Sequence, residues 1–160
     1  MADSMTAEQR SRCMAAVKGK NTKPELMVRK FLFAKGLRYR LHGRKLPGHP
    51  DLVFPKFRAV VFVDGCFWHG HEGCRSFRLP STNTEFWQKK INHNRARDVA
   101  NSAVLRLMGW RVIRVWECDL RNKLSRETTL RNLYEEIVGK SLPEENRCSF
   151  AAEPDAPYGR

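Results

Sequence analysis

The chain has 160 residues, with Lys+Arg 30 against Asp+Glu 17, a formal net charge of +13 and 41% hydrophobic residues. That length fits one domain, and the apolar content supports a packed core, so the excess charge belongs to a folded surface and not to a disordered basic tail. No apolar run nears the ~20 residues of a spanning helix, and Met1-Ala2-Asp3-Ser4 lacks a signal-peptide layout, which predicts a cytoplasmic protein.

A charge of this size points to a polyanion. Counterion release favours Lys and Arg against phosphate, whereas a membrane surface calls for an amphipathic basic helix or a lipidation signal. Neither is found in the sequence, and nucleic acid is the expected partner. Cys13, Cys66, Cys74, Cys118 and Cys148 are odd in number and irregularly spaced, which argues against a disulfide framework and for metal binding by some of them.

In chain order, residues 1–21 read as a basic arm (Arg10, Arg12, Lys18, Lys20) containing a short helix around Met14. Thr22-Lys23-Pro24-Glu25 has the form of a capping box with an early Pro, opening a helix that Gly36 stops. Arg38–Leu41 alternates as a strand, and Leu46-Pro47-Gly48-His49-Pro50 is a turn into the strand Asp51–Phe54. Arg58–Val63 is almost continuously apolar, as a strand covered on both faces is. Gly65–Thr84 reads as loop, Glu85–Met108 as one long helix or two, Trp110–Trp116 as a strand and Glu127–Val138 as the last helix. Residues 22–140 form the expected domain, and the Pro-rich polar tail 141–160 is expected to be unstructured. The order implies a single α/β domain with a mixed central sheet flanked by helices.

Three constellations carry chemistry. A hairpin would bring Asp51 near Val63-Asp64-Gly65, where a carboxylate, a backbone carbonyl and water could hold a hard divalent cation beside a phosphodiester. Asp after Pro and Asp-Gly are also ordinary turn residues. In Cys66-Phe67-Trp68-His69-Gly70-His71-Glu72-Gly73-Cys74, with Cys118 downstream, two thiols flank His69 and His71 at a spacing suited to tetrahedral zinc. Spacing does not choose between the two histidines. Phe67, Trp68, Phe86 and Trp87 lie in basic surroundings and suit either a core or an aromatic wedge between bases. Trp87, Ile91, Asn94 and Asp98 recur at helical spacing, so a ring and a carboxylate share one face, unless Asp98 merely pairs with Arg95 or Arg97.

Pro50-Asp51, Val63-Asp64-Gly65-Cys66-Phe67-Trp68-His69-Gly70-His71, Thr84-Glu85-Phe86-Trp87 and Gly109-Trp110-Arg111-Val112 with Val115-Trp116-Glu117-Cys118 resemble the very-short-patch repair (Vsr) DNA mismatch endonucleases. The resemblance runs from Met14 through the last helix. It implies a restriction-endonuclease-like fold that nicks double-stranded DNA 5′ to the T of a T:G mismatch, with catalytic magnesium and structural zinc. It further implies magnesium on Asp51 and the Val63 carbonyl, acid/base work by His69, and Glu25 and Asp98 close to the site. Zinc falls to Cys66, His71, Cys74 and Cys118; Phe67, Trp68 and Trp87 wedge the stack; and Met14, Lys20 and Asn94 contact DNA. Asp64 stands where some members carry His, so it is either a second magnesium ligand or leaves more of the acid/base work to His69. The Lys that follows the acid of ordinary restriction-type sites is missing from Val63-Asp64-Gly65-Cys66. Glu25 also has a structural explanation as the reciprocal partner of Thr22. A nick needs one active site, which fits a monomer. The competing expectations are a restriction-type nuclease cutting both strands of matched DNA, and a zinc-stabilised nucleic-acid-binding protein without hydrolysis.

Overall fold

A computed structural model describes residues 5–139. The elements follow as α1 (Ala7–Ala15), α2 (Lys23–Ala34), β1 (Arg40–Leu41), β2 (Leu52–Phe54), β3 (Ala59–Asp64), α3 (Thr84–Leu107), β4 (Arg111–Trp116) and α4 (Lys123–Gly139), with 3-10 turns at Pro55–Phe57 and Glu117–Leu120. The sheet order is β1-β2-β3-β4; β1, β2 and β3 pair antiparallel, and β3 pairs parallel with β4. This is the expected single α/β domain with a mixed sheet.

The apolar run of β3 is explained by cover on both faces. Val61 packs with Val28 and Leu32 of α2 and Leu133 and Ile137 of α4. The alternate residues Val60 and Phe62 pack with Leu46, Val53 and Leu105 of α3. Period-two alternation therefore feeds two cores, and burying them drives the three layers together. Among the described residues no helix is long and apolar enough to cross a membrane.

Several boundaries differ from the sequence reading. β1 is shorter than Arg38–Leu41, because its partner β2 has only three residues and Arg38 instead lays its guanidinium over the Phe33 ring at 4.2 Å. The last helix starts at Lys123 and not at Glu127, because Asn122 caps it: its Oδ1 accepts from the Leu124 N–H at 3.0 Å. The arm helix is opened by an unforeseen capping box in which Thr6 and Gln9 bond reciprocally. Gly65–Asn83 is free of helix and strand, and α3 is continuous. The tail 141–160 lies outside the described residues.

Candidate active site and metal centre

The hairpin fixes Asp51 from both sides. Its Oδ2 accepts the Val63 N–H at 2.7 Å, while its carbonyl accepts the His42 N–H at 3.0 Å, extending the β1–β2 pairing past Leu41. Gly43 follows in that extension, and a Cβ there would sit 2.8 Å from Val53 Cγ2, so only glycine lets the strand cross so close. Burial pushes the Asp51 carboxyl up to about 6, against the Val63 N–H and with help from Glu25 and Asp64. The carboxylate faces a cleft of about 490 Å³ lined also by Lys20, His42, Arg44, Asp64 and His69.

His69 reaches this cleft from the loop after β3. Its Nδ1 lies 2.6 Å from Asp98 Oδ2 and its Nε2 3.6 Å from Asp64 Oδ1. Burial opposes the charged imidazole, yet the Asp98 hydrogen bond and the Asp64 charge outweigh it and raise its pKa. Asp98 is therefore the partner of His69 and not a surface partner of Arg95 or Arg97. Asp64 is ion-paired with Arg114, whose NH2 also donates to Ser102 Oγ at 3.1 Å. Burial still raises the Asp64 carboxyl, against the nearby His69 and Arg114 charges.

Glu25 departs from the capping-box reading. Its N–H donates to Thr22 Oγ1 at 3.4 Å, but its own carboxylate, 2% exposed, pairs with Arg29 and lies 3.7 Å from His42 Nε2. Donor atoms of Glu25, His42 and Asp51 all fall within 4.8 Å of one another. Sequence reasoning missed His42 and Arg114. The available signals were the register that sets His42 beside Asp51, and a cation inside the otherwise apolar run Val112–Val115.

The second cluster is Cys66, His71, Cys74 and Cys118, again within 4.8 Å, so it includes His71 and leaves out His69. Tight turns gather it, with the His71 N–H donating to the Cys66 carbonyl at 2.9 Å and the Cys74 N–H to the His71 carbonyl at 3.3 Å. His71 stacks on Trp116 at 4.0 Å and turns Nδ1 to Cys118 Sγ at 3.5 Å. The Ser76 N–H draws the Cys74 thiol down to about 6, whereas burial and the neighbouring thiols push Cys118 up to about 12. Three thiols this close cannot all ionise without a cation between them, and soft sulfur with imidazole suits a metal of zinc character.

Beside the cleft, Phe67, Trp68 and Trp87 form an edge-to-face triad with centroids 5.2, 5.4 and 6.0 Å apart. The predicted helix face holds: Trp87 meets the loop rings, Ile91 is buried, Asn94 Nδ2 donates to the Trp68 carbonyl at 3.0 Å, and Asp98 meets His69. Asn94 thus braces the loop. At Gly70 the loop backbone presses on α3 so closely that a Cβ would lie 2.6 Å from Ile91 Cγ2. Lys90 reaches Trp68 and Trp87, with Nζ 5.7 and 5.6 Å from their centroids. Phe86 is more exposed than the triad, and Met14 lies on the surface of α1.

Carboxylates and an imidazole gathered in a cleft of a strongly basic α/β domain, with Trp68 lining the adjoining cleft, suit an endonuclease acting on DNA. Comparison with known proteins agrees: residues 2–75 match the family model described as DNA mismatch endonuclease Vsr. The chain is 49% identical over 133 residues to the type II nicking enzyme V.XorIIP of Xanthomonas oryzae pv. oryzae, covering 83% of this chain and 97% of that one. It is 45% identical over 137 residues to the type II nicking enzyme V.NmeAIP of Neisseria meningitidis, covering 86% and 97%. To the DNA mismatch endonuclease Vsr of Escherichia coli it is 42% identical over 142 residues, covering 88% and 90%. The chain belongs to the Vsr family of DNA mismatch endonucleases.

Proposed function

We propose that this endonuclease nicks one strand of double-stranded DNA 5′ to the T of a T:G mismatch, in very-short-patch repair, with catalytic Mg²⁺ and structural Zn²⁺. The observation carrying this reading is that Asp51 and His69 line one cleft, while Trp68 lines an adjoining one with His69 and Asp64. The hairpin that presents Asp51, followed by a parallel strand, supports a restriction-endonuclease-like fold. DNA in the cytoplasm is the substrate, and one site per monomer suffices for a nick.

Asp51 and the Val63 carbonyl would hold Mg²⁺, a hard ion suited to oxygen donors, which supplies charge neutralisation and an acidified water. Burial, with the nearby Glu25 and Asp64, holds the Asp51 carboxyl up to about 6, and a cation bound there would favour its ionised form. His69, oriented by Asp98 at Nδ1, presents Nε2 to the cleft and passes its proton to the oxygen that leaves phosphorus as water adds. Glu25 helps orient water. Asp64, ion-paired with Arg114 and 3.6 Å from His69 Nε2, supports the charged imidazole. Cys66, His71, Cys74 and Cys118 hold zinc and pin the loop that carries Phe67, Trp68 and His69. Phe67, Trp68 and Trp87 enter the stack where a mismatch already weakens it, so specificity enters as deformation energy, with Met14 and Lys20 of the arm on the DNA.

End-labelled duplexes, matched and T:G-mismatched, with and without Mg²⁺, test this. The expected product is a single cut in the T strand of the mismatch, dependent on Mg²⁺ and lost in Asp51→Ala with DNA binding retained. Cleavage of both strands of matched DNA, or full activity in Asp51→Ala, overturns it.

A further inference from the structure

We propose that Arg29 is a positioning residue that fastens the foot of the basic arm to the wall of the cleft, because its guanidinium bonds Asn21 through one nitrogen and Glu25 and His42 through the other. This rests on the reading that the arm lies on DNA cut in that cleft, and it adds what sets the arm's place there.

Glu25 and Arg29 stand four residues apart on α2, a spacing whose ion pairs ordinarily lie on a helix surface and contribute little. Here the two side chains are only 2% and 11% exposed, so the guanidinium has left water and its donors must be met inside the protein. Three separate segments meet them. NH1 donates to Asn21 Oδ1 at 2.8 Å, while NH2 pairs with Glu25 and lies 3.1 Å from His42 Nε2. A guanidinium only donates, so His42 accepts through Nε2. The buried Nε has no partner among the described residues, and the two terminal nitrogens alone fix the fork. A rigid planar fork can hold these partners at once, which an ammonium on a flexible stem cannot.

Asn21 is where the arm ends. It precedes Thr22, the cap of α2, and its φ of 55° lies in the left-handed region that Asn tolerates better than most side chains, so the chain turns there from arm into helix. Residues 17–22 have neither helix nor strand. Yet this stretch walls both clefts: Gly19 and Lys20 line one with Asp51 and His69, and Val17, Lys18 and Gly19 line the other with Trp68. A segment outside helix and sheet takes its place from side-chain ties, and the bond at Asn21 is one residue from Lys20.

On the cleft side the same fork reaches the backbone of Asp51, whose carbonyl accepts the His42 N–H at 3.0 Å. Asn21, Arg29, His42 and Asp51 therefore form one line of contacts from arm to carboxylate. Cutting it at Asn21 frees the arm and leaves Glu25 and His42 on NH2, so binding and chemistry separate.

The test uses the full-length, zinc-loaded protein. Asn21→Gly keeps the left-handed turn and removes the acceptor, whereas Asn21→Asp keeps both. Trypsin cleavage after Lys18, followed without DNA, reads the freedom of the arm; it should be on the order of tenfold faster in Asn21→Gly and close to the wild-type rate in Asn21→Asp. Mismatched duplex should bind Asn21→Gly on the order of tenfold more weakly, with the single-turnover nicking rate at saturating DNA within about twofold of wild type. Arg29→Lys should release the arm in the same way, and adding Asn21→Gly to it should release the arm little further, because both changes remove one bond. Thermal melting reports whether each variant is folded, and the two Asn21 variants decide the matter alone should Arg29→Lys not fold. Equal trypsin cleavage of Asn21→Gly and wild type, additive release in the double variant, or a fall in the saturated rate with affinity unchanged overturns the proposal. A wild type that cuts both strands of matched DNA would instead remove the mismatch reading and leave the trypsin comparison standing.

Discussion

Arg114 on β4 neutralises Asp64 at the end of β3 in an ion pair, with the carboxylate side chain only 4% exposed. Parallel pairing sets Arg114 opposite Phe62 and Asp64 opposite Trp116, so the guanidinium reaches diagonally across the ladder and lies 4.8 Å from the Phe62 ring centroid. Removing one member of such a pair strands a buried charge. Arg114→Met should therefore destabilise the protein by about 3 kcal/mol, and adding Asp64→Asn should recover a large part of that loss. Urea denaturation of the two single variants and the double variant measures the coupling. Additive losses would show that Asp64 does not depend on Arg114.

The 2.6 Å contact between His69 Nδ1 and Asp98 gives an ordered pair of effects. His69→Ala removes the proposed proton carrier and should slow single-turnover nicking about 10²–10⁴-fold. Asp98→Asn keeps the ring but loses the charge that favours imidazolium, so its loss should be smaller, with the alkaline limb of the pH profile moved to lower pH. The direction follows from the pKa of His69, which Asp98 and Asp64 hold above its ordinary value. Without Asp98 that pKa falls, and the protonated fraction disappears at lower pH.

Much of this geometry was legible because it rests on local pattern. The two-sided burial of Arg58–Val63, the helical spacing of Trp87, Ile91, Asn94 and Asp98, and the soft-ligand loop from Cys66 to Cys74 each follow from a period or a ligand type. The capping motif left a purely structural explanation of Glu25 open because it is local, while the partners of its carboxylate, Arg29 and His42, depend on how α2 lies against the β1–β2 extension. Choosing His71 over His69 from the residues alone was not possible. One lies where it can stack on Trp116 and the other where it meets Asp98, and both contacts are tertiary.

Asp51 gives a prediction about pH and stability in the protein stripped of divalent ions. Its folded pKa is raised from 3.8 to about 6, so its contribution to stability is full below 3.8 and is lost as pH rises through about 6. Asp51→Asn removes this dependence. At pH 8 the variant should melt at a higher temperature than the stripped wild type, and the difference should shrink as pH falls from 7 to 4. A saturating divalent ion should reverse the order at pH 8, because it binds only the wild-type carboxylate. Calorimetry across that range, with and without the ion, checks both signs.

Metal removal from the thiol cluster should act on the loop before the sheet. Cys66 is 1% exposed and sits at the foot of the loop, whereas Cys74 is at its far end and more accessible. Cys74→Ser should lower bound zinc and the melting temperature, and should weaken the near-ultraviolet circular dichroism that arises from Phe67, Trp68 and Trp87, while far-ultraviolet helix content is kept. Loss of helix in parallel with the aromatic signal would mean that the cluster holds the whole domain and not the loop alone.

The aromatic triad separates mismatch preference from chemistry. Trp87 is on α3 and touches Phe67 and Trp68 on the loop after β3, so truncating it unsupports both rings without touching Asp51 or His69. Inserting a ring costs a few kcal/mol of unstacking, and a mismatch has already met part of that cost. Trp87→Ala should therefore slow nicking at T:G far more than the residual cutting of matched duplex, and so compress the ratio between the two. Phe86→Ala is the control, because Phe86 is 56% exposed and meets the triad at its Trp87 end, with centroids 5.3 Å apart. A Trp87→Ala enzyme that slowed on both duplexes by the same factor would place the rings in general DNA binding and take mismatch selection elsewhere.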